Sequence, residues 1–235
     1  MPRKARRQID SDDPREIPTY GITEAARYLG LPSATLRSWS LGRPYPTASG
    51  VRSWPALIDL PDKKVRQLSF MNLVEASALA TIRRRYRIRM PSVRTAIRYL
   101  NKSLKSAHPL AERLETDGLD LFISKYGQLI NLSRLGQLGI RECLEAHLQR
   151  VEHDTEGLAI RLFPWTRGED LHAPKIVAID PLVSFGKPTV VGTGIRTEVL
   201  ASRLRAGDSI AELRDDYGLA EDQVEEAIRY ELLAA

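Results

Sequence analysis

The 235-residue chain is long enough for two modest domains, and its 43% hydrophobic content is typical of soluble globular proteins. No apolar run approaches the roughly 18 residues of a membrane-spanning helix, and no apolar stretch follows the basic start, which argues against membrane and secreted proteins. Cys143 is the single cysteine. Because one thiol forms neither an intrachain disulfide nor a cysteine zinc site, we expect a protein of the reducing cytoplasm with Cys143 buried.

The net charge of +5 conceals two oppositely charged halves. Residues 1–106 contain 21 Lys and Arg against 8 Asp and Glu, a net charge of +13, whereas residues 107–235 carry a net charge of −8. A basic block joined to an acidic one predicts that the first half meets a polyanion and the second does not. Charged runs are often only solvated faces. The helix-turn-helix pattern inside the basic half, described below, favours DNA as the polyanion.

Residues 1–18 are polar and contain three prolines, and we expect them to form a mobile basic arm. Arms of this kind reach phosphates or a minor groove in other DNA-binding proteins. The basic residues available for such a contact are Arg3, Lys4, Arg6 and Arg7. The alternative is a disordered start that binds nothing.

A pair of short helices joined by a tight turn is predicted after the arm. Apolar residues of the first recur at helical spacing, with Thr23 as the expected N-cap and Gly30 as the left-handed residue that ends it. Ser33 is the expected cap of a second helix that turns Leu36 and Trp39 inward. This pattern is typical of a helix-turn-helix, whose second helix enters the major groove of DNA. A helical hairpin in an ordinary all-α core is the alternative.

The second predicted helix carries the first candidates for DNA contact. Arg37 is the candidate for sequence readout, because an exposed arginine can donate two hydrogen bonds to guanine. The candidates on this helix are Ser33, Thr35, Arg37 and Ser38.

Helical periodicity is lost from Leu41 to Leu68, where glycines and prolines alternate with β-favouring residues. This is where a β-hairpin wing is expected, with Trp54 in the core rather than against a base. Basic residues of the segment have access to phosphates. The candidate contacts among them are Arg43, Arg52, Lys63 and Lys64.

The segments Ile22-Thr-Glu-Ala-Ala-Arg27, Leu29-Gly-Leu31 and Thr35-Leu-Arg37-x-Trp39 resemble the opening of MerR-like winged helix-turn-helix proteins. The resemblance implies that residues 19–106 form a domain that binds double-stranded DNA. It further implies that the helix Ser33–Leu41 lies in the major groove and the wing against the backbone.

A helix is predicted after the wing, over residues 68–83, where apolar residues return to helical spacing. Five arginines follow within residues 83–89, and they either hold the DNA backbone or form a solvated helix end. Pro91 begins another helix, with Val93 and Ile97 on its apolar face.

The middle segment, residues 107–175, is predicted to combine a β-hairpin with a helix. Two β runs surround Lys125–Gly127, a helix runs from Leu135 to Val151, and a β-like run from Leu158 to Trp165 precedes a linker over residues 166–175. The four histidines share no metal-ligand spacing, so we expect neither a metal nor a cofactor.

Three helices with clear boundaries are predicted within residues 176–235, with Thr197 and Ser209 as N-caps. Their outline is that of a second helix-turn-helix, but the segment has 6 Lys and Arg against 11 Asp and Glu. Carboxylates facing phosphates would oppose DNA binding. We therefore interpret this segment as a dimerisation or interaction module.

The segments Ile179-Asp-Pro-x-Val-x-Phe-Gly-Lys-Pro-x-Val-x-Gly-Thr-Gly-Ile-Arg196, Gly207-Asp-Ser-Ile-Ala-Glu-Leu213 and Asp216-Tyr-Gly-Leu219 resemble an antitoxin family of bacterial toxin–antitoxin pairs. With the MerR-like segment in front, the whole chain resembles a VapB-type antitoxin of the larger, two-domain kind. The resemblance implies that the protein neutralises a PIN-like ribonuclease toxin and represses its own operon. Repressors of this kind bind palindromic operator DNA as homodimers.

Two alternatives are open for toxin inhibition. Either an acidic surface pairs with basic RNA-binding residues of the ribonuclease, or an arginine, Arg161 or Arg167, enters its acidic metal site and blocks it. A MerR-like regulator that responds to a small molecule is the alternative function, although the sequence has no long coiled-coil helix. No catalytic constellation stands out, so we expect no enzyme activity. The predicted fold is mainly α with small β elements.

Overall fold

The computed structural model describes residues 12–48, 50–86, 108–112, 134–168 and 172–233, and the separate positions 93, 95, 97, 99, 120, 123, 124 and 170. Within this part of the chain the fold is mainly α, with seven helices and four two-stranded antiparallel sheets. The predicted fold class is confirmed.

The helix-turn-helix is formed by α1 (Ile22–Tyr28) and α2 (Ser33–Leu41). Gly30 between them has a φ of 58°, in the left-handed region that the predicted turn requires. Leu36 and Trp39 are buried, as the spacing predicted. Both helices therefore pack their apolar faces into the main core and leave the opposite face of α2 in solvent.

Three of the four predicted N-caps are wrong. Thr23, Ser33 and Thr197 lie inside the first turn of their helices, because in each case the preceding extended residue takes the cap position and no side chain caps the helix. Ser209 is a true N-cap: its hydroxyl accepts from the backbone N–H of Glu212, whose carboxylate accepts from the N–H of Ser209 at 2.7 Å.

A β-hairpin follows α2 at the predicted position of the wing, with strands β2 (Arg43–Thr47) and β3 (Gly50–Trp54). After the wing the chain returns to strand β4 (Gln67–Leu68), which pairs with β1 (Tyr20–Gly21) directly before α1. This pairing fixes the base of the wing to the start of the helix-turn-helix.

The central helix of the protein is α3 (Phe70–Tyr86), as predicted. Its residues 70–82 are all buried, including polar ones with partners inside the protein, such as Asn72, whose amide donates to the carbonyl of Asp59. Beyond it, Val93 and Ile97 are helical and buried, so the predicted apolar face is confirmed at these two positions.

Part of the predicted mobile arm lies against the fold. The Arg15 guanidinium pairs with Asp154 at 2.6 Å, and the Arg15 carbonyl accepts from the N–H of Met71. Glu16 contacts His108 at 3.1 Å. The expectation of mobility therefore does not hold for these residues, which ion pairs fix to distant parts of the chain. The basic residues Arg3, Lys4, Arg6 and Arg7 lie outside the described residues.

His108 is held between two carboxylates, with Nδ1 3.0 Å from Glu75 and Nε2 3.1 Å from Glu16. Burial lowers the pKa of His108, but the attraction of Glu75 and the hydrogen bonds with both carboxylates outweigh it and raise the pKa to about 10. The charged imidazole therefore bridges the amino-terminal residues to α3 at neutral pH.

Because the pKa of His108 rises on folding, its contribution to stability is complete below pH 6.5 and is lost as the pH rises through about 10. We expect the free energy of unfolding to fall by about 3–4 kcal/mol more between pH 7 and pH 10 in the wild type than in His108→Gln. Urea unfolding at both pH values measures this difference. Parallel pH dependences of the two proteins would contradict the assigned ion pairs.

The middle segment contains the predicted helix, and a hairpin that was not predicted follows it. Helix α4 (Arg134–Gln149) is followed by β5 (Val151–His153) and β6 (Ala159–Leu162), which form an antiparallel pair. Two β runs were predicted around Lys125–Gly127. Three residues of the first run are described by the structure, at positions 120, 123 and 124, and all three are helical, so this prediction is wrong there. Short apolar runs do not distinguish strand from helix. The rest of that predicted hairpin lies outside the described residues.

A buried arginine, Arg150, binds the backbone at both ends of the predicted linker over residues 166–175. Arg150 is 2% exposed, and its guanidinium lies 4.4 Å from the centre of the Trp165 ring. Burial lowers the pKa of Arg150 to about 10. The guanidinium donates hydrogen bonds of 2.7–3.3 Å to the backbone carbonyls of Phe163, Pro164, Ala173 and Pro174.

The carboxyl-terminal module begins with the strand pair β7 (Val177–Ala178) and β8 (Thr189–Val190). The three predicted helices follow as α5 (Thr197–Ala206), α6 (Ile210–Tyr217) and α7 (Glu221–Leu233). They enclose a second hydrophobic core that is separate from the main core. In the described part of the chain, no helix is both long and apolar enough to cross a membrane.

Helix α7 lies against α1 of the helix-turn-helix, and we call this the α1–α7 contact. Glu231, buried on α7, pairs with Arg27 at 2.9 Å and accepts a hydrogen bond of 2.5 Å from the Thr197 hydroxyl. The Tyr230 hydroxyl donates to the backbone carbonyl of Tyr28 at 3.0 Å. Beside these contacts, Lys187 pairs with Glu24 of α1. The module is thus joined to the first helix of the helix-turn-helix.

Candidate nucleic-acid interface

The face of α2 opposite the core presents the predicted contact residues to solvent. Ser33 and Arg37 are exposed, and Thr35 and Ser38 are half-buried. Among the described residues no carboxylate pairs with Arg37, so its guanidinium is available to a ligand. An exposed helix with polar and cationic side chains on one face has the shape and chemistry that a major groove accepts.

Arg83 from α3 lies beside α2 and adds a second cation to this face. Its guanidinium donates to the Thr35 hydroxyl at 3.3 Å and lies 5.9 Å from the centre of the Trp39 ring. Two roles were open for the arginine cluster, contact with the DNA backbone or a solvated helix end. The location of Arg83 next to the candidate recognition helix favours contact with the DNA backbone. Arg87 and Arg89 of the same arginine cluster lie outside the described residues.

One face of the wing combines two arginines with two aromatic rings. Arg43 is paired with Trp54 and Tyr45 with Arg52 across the hairpin, and directly opposite residues share a face. The rings of Tyr45 and Trp54 stack with centroids 4.8 Å apart. Guanidinium groups beside these partly exposed rings suit contact with the phosphates of nucleic acid.

The prediction that Trp54 lies in the core is wrong, since 40% of its surface is exposed. The reason is that β2 and β3 form a projecting two-stranded hairpin, so the ring packs on Tyr45 instead of entering the core. Tyr45 was missed by the sequence analysis. The two-residue alternation of a strand, which places it beside Arg43, was the signal available to find it.

Gly42 sets the angle between α2 and the wing. Its φ is 78°, and a Cβ at this position would overlap the carbonyl oxygen of Trp54. Only glycine combines this left-handed conformation with such a close approach of two backbone segments. The orientation of the wing relative to α2 is therefore built into the backbone.

Lys63 and Lys64 lie outside the hairpin, in the stretch between the wing and β4. Both are exposed, and Lys63 pairs with Asp59 at 3.2 Å in an ion pair that solvent weakens. Asp62 accepts from the backbone N–H of Lys64, which forms a turn there. The structure thus assigns Arg43 and Arg52 to the wing face and the two lysines to a separate turn.

Both arginines predicted to contact a toxin are paired with carboxylates of the same chain. Arg161 on β6 contacts Glu152 at 2.7 Å and Asp180 at 3.2 Å. Arg167 contacts Glu226 of α7 at 3.0 Å, and Glu226 is nearly fully buried. Burial favours a raised pKa for Glu226, but hydrogen bonds from Arg167 and the Thr166 hydroxyl outweigh it and lower the pKa.

The described residues contain no group of three or more His, Cys, Asp and Glu side chains that could hold a metal ion. Among the four histidines, His108 is paired as described above and His147 is completely buried, which lowers its pKa to about 3. Both are therefore involved in packing or ion pairing within the fold.

Two protein families match separate parts of the chain. The family described as "Putative DNA-binding HTH domain" matches residues 18–97, and "Protein of unknown function (DUF433)" matches residues 177–230. The first match includes the helix-turn-helix and the wing, and the second covers most of the carboxyl-terminal module.

Relatives from Mycobacterium tuberculosis align along nearly the whole chain. "Putative antitoxin VapB45" is 31% identical over 233 residues, which cover 91% of this chain and 93% of that protein. "Uncharacterized protein Rv2308" is 28% identical, over 92% of this chain and 90% of that protein. The crystal structure of Rv2018 from the same organism is 26% identical with a TM-score of 0.66, and covers 91% of this chain and 98% of that one.

The fold and the exposed basic helix define a helix-turn-helix protein of the DNA-binding class. Within that class, the sequence identity with "Putative antitoxin VapB45" and the length of that alignment decide the family. The chain belongs to the family of VapB-type antitoxins.

Proposed function

We propose that this protein is the antitoxin of a type II toxin–antitoxin pair. In this proposal it binds and neutralises a PIN-like ribonuclease toxin, and it represses its own operon by binding operator DNA as a homodimer. It has no catalysis of its own and needs no cofactor. The observation that carries the proposal is Arg37 on the exposed face of α2, which pairs with no carboxylate among the described residues, in a chain that aligns with an antitoxin along most of its length.

Charge supports the division between DNA and protein partners. The helix-turn-helix, Arg83 and the wing present cations on exposed surfaces, and phosphate neutralisation supplies much of the affinity for DNA. Helix α7 exposes Glu221, Asp222 and Glu225, which would repel phosphates. The carboxyl-terminal module therefore suits a protein partner, either the toxin or a second copy of the chain.

Arg161 and Arg167 stay candidates for toxin contact. Each guanidinium already has a carboxylate partner in this chain, so entry into an acidic metal site requires exchange of that partner. For Arg167 the exchange would leave Glu226 buried with fewer donors, which is costly. The acidic surface of the module requires no such exchange.

Arg37→Ala is expected to weaken specific operator binding by about 1–3 kcal/mol, because it removes a bidentate contact with a base while phosphate contacts remain. A gel-shift titration with the promoter duplex of this gene, with a scrambled duplex as competitor, measures the loss. Binding to the scrambled duplex should change much less than binding to the promoter.

Arg205→Ala is the matched control, since Arg205 is an exposed arginine on α5 in the carboxyl-terminal module. This variant should retain full affinity for the promoter duplex. An unchanged affinity in Arg37→Ala, or an equal loss in both variants, would show that α2 is not the recognition helix.

A further inference from the structure

Two large apolar side chains project from one short loop of the carboxyl-terminal module. Leu182 and Phe185 are 78% and 89% exposed, so neither side chain contributes appreciably to the stability of the fold through burial. Single exposed apolar residues are common on protein surfaces. This pair differs from them because of the backbone that carries it.

The loop backbone is held in a conformation that L-residues avoid. Ser184 and Phe185 have φ values of 48° and 57°, and Gly186 follows with 71°. A non-glycine residue in this region costs about 1–2 kcal/mol, and Phe185 incurs that cost while its ring remains in solvent. Strain of this kind persists only where surrounding contacts impose it, and it is concentrated at functional sites.

Contacts on both sides of Phe185 impose this conformation. The Ser184 hydroxyl donates to the carbonyl of Gly194 at 2.9 Å. Gly186 is buried against the Tyr20 ring so closely that a Cβ there would overlap the phenol oxygen. The loop is therefore a rigid support from which the two apolar side chains project, and not a segment that happens to expose them.

We propose that Leu182 and Phe185 form the apolar anchor by which this chain binds its protein toxin, and that they enter an apolar pocket on the toxin's surface. The inference rests on the proposed function and assigns its toxin-binding site. An aromatic anchor in a desolvated pocket is typical of interface hot spots. Because the loop is already fixed in the free protein, little conformational entropy is lost on binding.

Charge and shape select the toxin among the possible partners. DNA is disfavoured, because residues 176–235 contain 11 acidic against 6 basic side chains. In a two-fold contact through this loop each copy would present the same projecting side chains to the other, whereas side chains of this shape are buried more completely in a pocket. The loop also belongs to the segment matched by the second family, outside the part matched by the DNA-binding family.

Phe185→Asn tests the inference without threatening the fold. Asparagine tolerates the left-handed region better than phenylalanine, so the variant loses the ring and relieves strain. The probe is the purified product of the reading frame adjacent to this gene, titrated against the full-length chain by calorimetry. We expect Phe185→Asn to weaken binding at least about 30-fold and Leu182→Ser about tenfold, as for hot-spot residues.

Leu232→Asn is the matched control, since Leu232 is exposed on α7 in the same module and should retain wild-type affinity. If the unmutated chain binds the probe and Phe185→Asn binds it with the same affinity, the inference is overturned and the proposed function stands. A wild-type chain that does not bind the probe overturns both. Conversion of a dimer to a monomer by Phe185→Asn, with toxin binding intact, overturns it in favour of a contact between copies.

Discussion

Replacement of Arg150 by methionine is expected to lower the free energy of unfolding by about 3–5 kcal/mol, although methionine retains an unbranched apolar stem. The guanidinium satisfies four backbone carbonyls around residues 163–174, and a methionine side chain would offer none of these hydrogen bonds. The contact with the Trp165 ring would change from a cation over a π face to a thioether. Equilibrium unfolding in urea, followed by circular dichroism, measures the loss.

Local release of residues 166–175 should accompany this loss of stability. Amide hydrogen exchange in this segment should accelerate in Arg150→Met more than in the main core. Arg205→Met is the control, because Arg205 is exposed and its replacement should change stability by less than about 0.5 kcal/mol. A similar small effect in Arg150→Met would mean that the four carbonyls are satisfied in another way.

Glu231→Ala is expected to destabilise the protein by about 3 kcal/mol, because it leaves Arg27 without its carboxylate and the buried Thr197 hydroxyl without its acceptor. Glu231→Gln should lose less, since its amide oxygen can still accept from Thr197. Urea unfolding of both variants gives the order of stability. The predicted order is wild type, then Glu231→Gln, then Glu231→Ala.

Glu225→Ala on the same helix separates burial from charge. Glu225 is exposed, so its removal should change stability by less than about 0.5 kcal/mol, although it deletes the same carboxylate group. Equal stability of Glu225→Ala and Glu231→Ala would contradict the α1–α7 contact as the structure shows it.

The features predicted correctly from the sequence depend on residues close together in the chain. The turn at Gly30 and the capping box at Ser209 each depend on neighbours within about four residues, and the helices on spacing within one or two turns. The predictions of N-caps were wrong where the helix begins one residue away from the expected start, as at Thr197, where Arg196 is the N-cap. The first β run near Lys125 failed because a short apolar run suits either element.

The candidate interface was only partly predictable for the same reason. Arg37 follows from the exposed face of a helix, and Arg43 and Arg52 follow from the position of the wing. Arg83 reaches α2 from a helix that begins more than 25 residues after α2 ends, and no local pattern encodes that proximity. The carboxylate partners of Arg161 and Arg167 were missed because tertiary contacts, rather than spacing, bring them together.

The α1–α7 contact also limits how such chains can recombine. A chimera that joined this helix-turn-helix to the carboxyl-terminal module of a distant relative would place Arg27 and Glu24 opposite unmatched side chains. Exchange of the two parts between genes is therefore penalised unless both sides change together. Within the family, the identities at positions 24 and 187, and at positions 27 and 231, should have coevolved.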